Sequence, residues 1–425
     1  MNNPTKQAQL VANSLAKRYR SEKIFRALGV VSIAVGIVAL CSLFIGIISG
    51  GLSGFTQTKI HLQVVLDANE LSINDPRDAG QIKAADFQPL VRKALAERFP
   101  DVDGREDKRA LNALLSVGAA AEVQAKVLAN PALLGSTLAL WVTADDDVDT
   151  YHKSSASHKF VDRLKEKQIT WINELIAKGE LERQFNSTFF TSGDSAEPEM
   201  AGIFGTLLGS IFTLSVTITL AFPIGVAAAI YLEEYAPRNN FTDFIEVNIN
   251  NLAAVPSVIF GLLGLAIFIN MFHMPRSIPL VGGLVLTLIT LPTIIISSRA
   301  AIKSVPPSIR EAALGIGASK MQMILHHVLP LAMPGMLTGA IIGMAHALGE
   351  TAPLLMIGMV AFIMDTPTSV MSSATVLPVQ IFLWSDSPER GFVEKTSAAI
   401  MVLLAFLICM NTLAVWLRKR LERRW

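Results

Sequence analysis

Six stretches of this chain are almost uninterruptedly apolar: 27–49, 203–230, about 249–272, 279–298, 335–363 and 397–417. Crossing a hydrocarbon core of about 30 Å takes about 20 residues of helix, and each stretch is near or above that length. The predicted scaffold is an all-α polytopic membrane protein with six transmembrane helices. Between the first and second stretches the pattern changes. IHLQVVLD (60–67) alternates with a period of two and TLALWVTA (137–144) is strand-like, whereas 86–99, 106–129 and 159–179 keep a helical period. Residues 50–202 are therefore expected to form a mixed α/β domain inserted between helices 1 and 2, and about 150 residues suffice for one. The acidic run DDDVD (145–149) reads as a solvated loop in preference to a cation site, because it lacks the Gly and terminal Glu of a Ca²⁺ loop. VLPVQIFLW (376–384) reads as a short re-entrant or interfacial helix, with Trp384 as a headgroup-level anchor.

Composition agrees with a membrane protein. Hydrophobic residues make up 51% of the chain and charged residues 17%, against about 25% in soluble domains. The net charge of +1 is uninformative, because the charges are segregated. Lys6, Lys17, Arg18, Arg20, Lys23 and Arg26 precede the first apolar stretch. Arg418, Lys419, Arg420, Arg423 and Arg424, with Glu422 among them, follow the last. An excess of basic residues marks the cytoplasmic side, so both termini are expected there, as an even number of spans requires. The loop 299–330, with Arg299, Lys303, Arg310 and Lys320, falls on the same side and 50–202 on the other. The resulting plan is a cytoplasmic N-terminus (1–26), helix 1 (27–49), the extracytoplasmic insertion (50–202), a transmembrane domain (203–418) with a cytoplasmic loop at 299–334, and a cytoplasmic C-terminus (419–425). Helix 1 is too long for a signal-peptide core and no A-x-A site follows it, so it is read as a retained anchor.

Chemistry is sparse. Cys41 and Cys409 lie in apolar runs and read as packing residues. No CxxC, HExxH or GxxxxGK[ST] motif occurs, so no metal site, bound cofactor or catalytic residue is expected, and no nucleic-acid partner. The informative stretch is SVPPSIREAALGIGASKMQMILHHVLP (304–330). Ser304 is a plausible cap and Pro306–Pro307 suit a first helical turn running through REAAL. Gly315 and Gly317 break that helix, Ser319 caps a second, and Leu329–Pro330 ends it. Ala312 and Ala313 let a partner backbone approach, Gly317 takes a positive φ at the corner, and Arg310 and Glu311 supply charge at the rim.

The order E-A-A, three residues, G, and then L-P is carried by Glu311, Ala312, Ala313, Gly317, Leu329 and Pro330. It resembles the coupling-loop signature of binding-protein-dependent ABC importer permeases, with the departure that His327 stands where an aliphatic residue is usual. NINNLAAVPSVIFGLLGLAIF (248–268), LPTIIISS (291–298) and GETAPLL (349–355) add a resemblance to phosphate-specific importer permeases of the PstA type over about 203–418. The resemblance implies a MetI-like transmembrane fold. It also implies a non-catalytic subunit of the inner membrane moving phosphate by alternating access, with ATP and Mg used by two separate ATPase subunits. The further partners it implies are a second homologous permease, an extracytoplasmic phosphate-binding protein and membrane lipid. Three alternatives stand beside it: a permease for molybdate or sulfate, a membrane-anchored sensor using 50–202, for which the cytoplasmic ends look short, and an ion-coupled carrier, for which internal inverted repeats are not evident.

Glu350 is the one formally charged residue in 331–364, and a carboxylate in hydrocarbon costs about 2.5 kcal/mol or more. It is read either as a neutral hydrogen-bonding residue, as a partner of His346 one turn earlier, or as part of a polar solute path. A carboxylate repels phosphate, so any transport role is to hold a donor group. The resemblance implies an arginine where this chain has His346, which leaves His346 or a second subunit as the positive partner. Thr351 is a hydrogen-bond donor, and Pro353 frees the Gly349 carbonyl; Pro223, Pro256 and Pro292 are expected to kink their spans. Gly335, Gly339 and Gly343 form a smooth strip for a helix of the same chain or of a sister subunit, and Gly205 and Gly209 a second one. Met271, Met274, Met356, Met359 and Met364 read as packing residues.

Overall fold

A computed structural model describes residues 6–75, 78–153, 163–360 and 362–421. Glu422, Arg423 and Arg424 of the expected basic tail, and residues 159–162 of the expected helix 159–179, lie outside the described residues. The chain divides into two units, residues 1–50 and 51–425. The first is helix α1 (Lys6–Gly54), whose last residues enter the second unit.

The second unit opens with β1 (Thr56–Val65), the middle strand of a three-stranded antiparallel sheet in the order β2–β1–β3. Helices α2 (Ala79–Ala84), α3 (Gln88–Arg98), α4 (Arg105–Asn112) and α5 (Ala119–Ala129) lead to β2 (Thr137–Thr143). Next come α6 (Asp146–Lys153), α7 (Glu166–Ala177), β3 (Leu181–Phe185) and α8 (Ser187–Thr191). Lys59 faces Thr143 across β1–β2, and Thr56 faces Phe185 across β1–β3. The period of two puts Ile60, Leu62, Val64 and Leu66 on one buried face, where Leu95, Val123 and Ile172 of α3, α5 and α7 cover them.

Three readings change here. The expected helix 106–129 is two helices, because the chain turns in to bridge the sheet. Ser116 N donates to the Thr143 carbonyl (3.2 Å), and the Ser116 hydroxyl accepts from Gly118 N (3.0 Å). DDDVD is no solvated loop; it starts α6, with Asp145 Oδ1 accepting from Asp147 N at 3.0 Å, the end-of-helix bond for which Asp is suited. Strand β3, LERQF, is short and mostly polar, and was not anticipated.

After residue 203 the chain is helical. Helix α9 (Phe204–Ile230) continues through a π turn at Tyr231–Tyr235. Then come α10 (Asn240–Ala253), α11 (Ser257–Gly264) with a π turn to Met271, α12 (Pro279–Lys303), α13 (Pro307–Gly315) and α14 (Lys320–Met323). A π turn at Ile324–Val328 joins α14 to α15 (Leu329–Gly349), and α16 (Ala352–Met356), α17 (Leu377–Ser385) and α18 (Gly391–Leu421) complete the fold. Among the described residues five helices are long and apolar enough to cross a membrane, or six if α10 and α11 form one broken span. The expected straight span 249–272 is that pair, bent by 100°. Pro256 sits at the break; it lacks an N–H and disfavours a helical residue before it. The expected span 335–363 shifts to Lys320–Gly349. Leu329–Pro330 does not end a helix, because the widened π turn just before Pro330 accommodates its ring and missing donor. Residue 361 lies outside the described residues.

Helix α12 is the centre of the bundle: 61% of its apolar stretch is buried, chiefly against α9 and α15. Close approach depends on small residues. A β-carbon on Gly339 would lie 1.7 Å from Ser297 Oγ of α12, one on Gly335 2.6 Å from Ala301 Cβ, and one on Gly343 3.7 Å from Ile294 and Thr290. Gly205 and Gly209 face a loop instead of a helix; a β-carbon on Gly209 would lie 2.1 Å from the Thr375 carbonyl. On α9, Thr206, Ser210, Thr213 and Thr217 form a buried hydroxyl stripe. Ser210, Thr213 and Thr217 each return a bond to the carbonyl four residues back, and Ser210 Oγ also accepts from Leu377 N (2.8 Å). Trp384 is buried and donates to Asp194 Oδ1 at 3.1 Å, so it packs inside the protein and is not a headgroup anchor.

Overpacking a close contact costs about 1–3 kcal/mol. Gly339→Ala is expected to lower the melting temperature of the purified protein, and Ser297→Gly in the same chain to restore most of the loss; a single variant as stable as the parent contradicts this packing.

Candidate functional site

The turn after α12 is built by competing caps. Ser304 closes α12, its N–H donating to the Ala300 carbonyl (3.1 Å) and its hydroxyl to that of Ala301 (2.7 Å), so it does not cap α13. Pro306 and Pro307 open α13, which stops at Gly315. Gly317 follows with φ +87°, a conformation that strains any side chain. Ser319 caps α14 reciprocally with Gln322: Ser319 N donates to Gln322 Oε1 (2.9 Å) and Gln322 N to Ser319 Oγ (3.3 Å). The result is a two-helix elbow. Ala313 is buried with Ile302, Val305, Ile324 and Val328. Glu311, Ala312 and Gly317 are exposed, and Leu314, Ile316 and Met321 form an apolar knuckle in which Ile316 is 83% exposed. Leu329 and Pro330 lie within the helix beyond the elbow, half-buried, and His327 is exposed in the π turn.

Arg310 is not a rim residue. It turns inward, donating to the carbonyls of Val305 (2.6 Å) and Ile302 (2.8 Å) and, through Nε, to Glu234 Oε1 (3.1 Å). About one helical turn before the end of α12, Arg299 donates to Glu233 Oε1 (2.6 Å) and Glu246 Oε1 (2.5 Å), and Lys303 lies 3.3 Å from Glu233. The acids come from the end of α9 and from α10, so four elements are tied at one level. Sequence reasoning missed Glu233, Glu234 and Glu246. The available signal was a Glu-Glu pair directly after an apolar span, opposite basic residues that needed partners.

At the other end of α15, Glu350 is not in a helix interior. It is the residue where the helix stops (φ −74°, ψ 116°), followed by Thr351 and the short α16. Its Oε1 lies 2.9 Å from His346 Nε2; Glu350 is 13% exposed and His346 60%. Pro353 is buried against α11, where a β-carbon on Gly261 would meet its Cα and carbonyl oxygen at 2.7 Å. The 21 residues of α15 span about 30 Å, so the elbow and the His346–Glu350 pair are separate sites.

A third polar cluster joins the sheet domain to α18. Lys153 lies 2.6 Å from Asp149 and 3.0 Å from Glu394. Lys395 is buried and donates to the Ala201 carbonyl (2.7 Å). Asp146 Oδ2 accepts from Gly391 N (3.2 Å), and Glu199 Oε1 accepts from the Ser116 hydroxyl (2.6 Å). Burial pushes Asp145 and Asp146 each up to about 7, and raises Glu199 and Asp194 above the usual carboxylate range. Among the described residues no group of three or more His, Cys, Asp or Glu is arranged to hold a metal ion.

Residues 221–425 match the family described as "Binding-protein-dependent transport system inner membrane component", and residues 12–161 match "Domain of unknown function (DUF3333)". The chain is 30% identical over 248 residues to "Probable ABC transporter permease protein YqgI" of Bacillus subtilis, a match covering 55% of this chain and 83% of that one. It is 28% identical to "Phosphate transport system permease protein PstA" of Haemophilus influenzae, covering 52% and 77%. It is also similar to a chain of the methionine ABC transporter MetNI in an inward-facing conformation, with 17% identity, 52% and 98% coverage and a TM-score of 0.43.

The raised acids have a consequence for stability. In the folded chain Asp145 and Asp146 keep protons that the unfolded chain releases near pH 3.8, so their contribution to stability falls as pH rises from about 4 to about 7 and stays low above that. Asp146→Asn is expected to flatten the fall in melting temperature between about pH 4 and pH 8; a slope equal to the parent's contradicts the assignment.

Proposed function

Because this chain belongs to the family of binding-protein-dependent transport system inner membrane components, we propose that it is the permease subunit of an ATP-driven importer whose solute is inorganic phosphate. The name of the PstA relative from Haemophilus influenzae supports the solute. In this reading the termini and the elbow face the cytoplasm, residues 50–202 stand on the outer side, and the chain pairs with a second permease, two ATPase subunits and an extracytoplasmic phosphate-binding protein. ATP and Mg are used by the ATPase subunits, and this chain contributes no catalytic group.

The observation that carries the proposal is the elbow. A buried base at Ala313 and an exposed knuckle at Leu314, Ile316 and Met321 fit insertion into a groove of another protein. Glu311 and Ala312 stand beside the knuckle, and Gly317 permits the corner. When the ATPase subunits close, the elbow moves. The bonds of Arg310 to Glu234 and of Arg299 to Glu233 and Glu246 pass that movement to α9, α10 and α12. Nucleotide then sets the populations of inward- and outward-open states. His346, Glu350, Thr351 and Pro353 border the path at the far end of α15. Glu350 acts there by holding His346, since a bare carboxylate repels phosphate.

The test is reconstitution with the ATPase subunits and the binding protein. Ile316→Glu is expected to lose ATPase co-purification and ATP-dependent uptake of radiolabelled phosphate while inserting and melting like the parent. Normal uptake by that variant contradicts the coupling assignment, and absence of phosphate uptake by the intact complex contradicts the solute.

A further inference from the structure

One cavity lies in the sheet domain, away from the elbow and from His346–Glu350. It measures about 650 Å³. Helix α4 presents Arg105, Lys108, Arg109 and Asn112 to it, a spacing of three, one and three residues that places all four on one helical face. Helix α3 adds Gln88 and Arg92 from the opposite wall, and the turn into α5 adds Ser116. The one acid in the lining is Asp145.

The pairing of these groups is informative. Basic residues nearby have acidic partners: Lys93 with Glu70, Arg98 with Glu180, Lys165 with Glu106 and Lys167 with Asp107. Arg92, Arg105 and Arg109 have none among the described residues, and Lys108 has only Asp103 at 3.7 Å, with both side chains more than half exposed. Three unmatched guanidinium groups thus converge on one concavity. A guanidinium presents paired donors that match the oxygens of a phosphate group, and Arg is the preferred residue for such bidentate recognition. Volume restricts the ligand further. Cavities of about 300–1,000 Å³ accommodate small organic molecules, and the exposed Val117 supplies apolar surface beside the charges, with the buried Val91 and Leu115 behind the wall.

From this convergence we infer that the cavity between α3 and α4 is a binding site for a small organic phosphate, an anion of phosphomonoester class and up to nucleotide size. The guanidinium groups of Arg92, Arg105 and Arg109 take the phosphoryl oxygens, and the organic part lies on Val117. Asp145 reinforces the choice of ligand. Burial pushes it up to about 7, so near neutral pH part of the population carries a proton that can be donated to a phosphate oxygen. The inference does not rest on the import reading; the domain's ligand and the transported solute are separate questions.

The test uses the full chain, expressed without ATPase subunits and purified in detergent, titrated by calorimetry with adenosine monophosphate, inorganic phosphate and uncharged adenosine. Saturable binding of adenosine monophosphate is expected, weakened by about tenfold or more in Arg92→Gln/Arg109→Gln, a loss of at least about 1.4 kcal/mol. Both positions are exposed, and the variant's melting temperature without ligand serves as the folding control. Inorganic phosphate is expected to bind more weakly, and adenosine not at all. No saturable binding of adenosine monophosphate at millimolar concentration overturns the proposal. So does equal affinity in the double variant, or inorganic phosphate binding as tightly as the monophosphate.

Discussion

Two adjacent carboxylates, Glu233 and Glu234, sit at the end of a long apolar helix, with side chains only 11% and 9% exposed. The fold answers with a guanidinium for each. Arg299 reaches Glu233 from α12, and Arg310 reaches Glu234 from the elbow. The π turn at Tyr231–Tyr235 widens the helix there, and the two acids meet different elements. Arg310 and Glu234 are half-buried, so removing one leaves the other poorly compensated. Arg310 ties the elbow to the bundle, since α13 cannot swing away without breaking its bonds to Glu234, Ile302 and Val305. Arg310 adds the carbonyls of Ile302 and Val305, which fixes the angle between α12 and α13.

From that anchor the rest of the helical layer follows by close packing. Helix α12 carries Arg299 near its end and receives the glycine strip of α15 along its side. The elbow is therefore connected to α15 through close helix packing as well as through charge. Helix α15 ends at Glu350, whose bond to His346 holds the break between α15 and α16. The elbow thus adjoins one end of α15 and the polar break lies at the other, with close contacts to α12 between them.

Much of this architecture was legible from residue pattern. Helices α9, α12 and α18 follow from length and apolar content, and the elbow from Gly317 and Ser319, each needed for a specific local reason. The shape of the broken pair α10–α11 was not legible, because apolar composition is the same in a straight span and a bent one, and Pro256 alone marks a bend without its size. Glu350 looked like a carboxylate inside a helix because hydropathy does not register where a helix stops. The direction of Arg310 was hidden for a different reason: its partner Glu234 is 76 residues upstream, and a charge in a loop looks solvated until the fold supplies an acid. DDDVD misled for the same reason, since its acids are half-buried and Asp146 meets Gly391 of α18, which sequence spacing does not bring together. In the sheet domain the strands with apolar alternation were readable and the polar β3 was not.

The central claim is that the Arg310–Glu234 contact carries motion from the ATPase to the helices. It is tested most directly by measuring ATP hydrolysis and phosphate uptake together in proteoliposomes containing Arg310→Met. The account predicts that the ATPase subunits remain bound and hydrolyse ATP while the phosphate taken up per ATP falls sharply. An unchanged ratio of uptake to hydrolysis would contradict it.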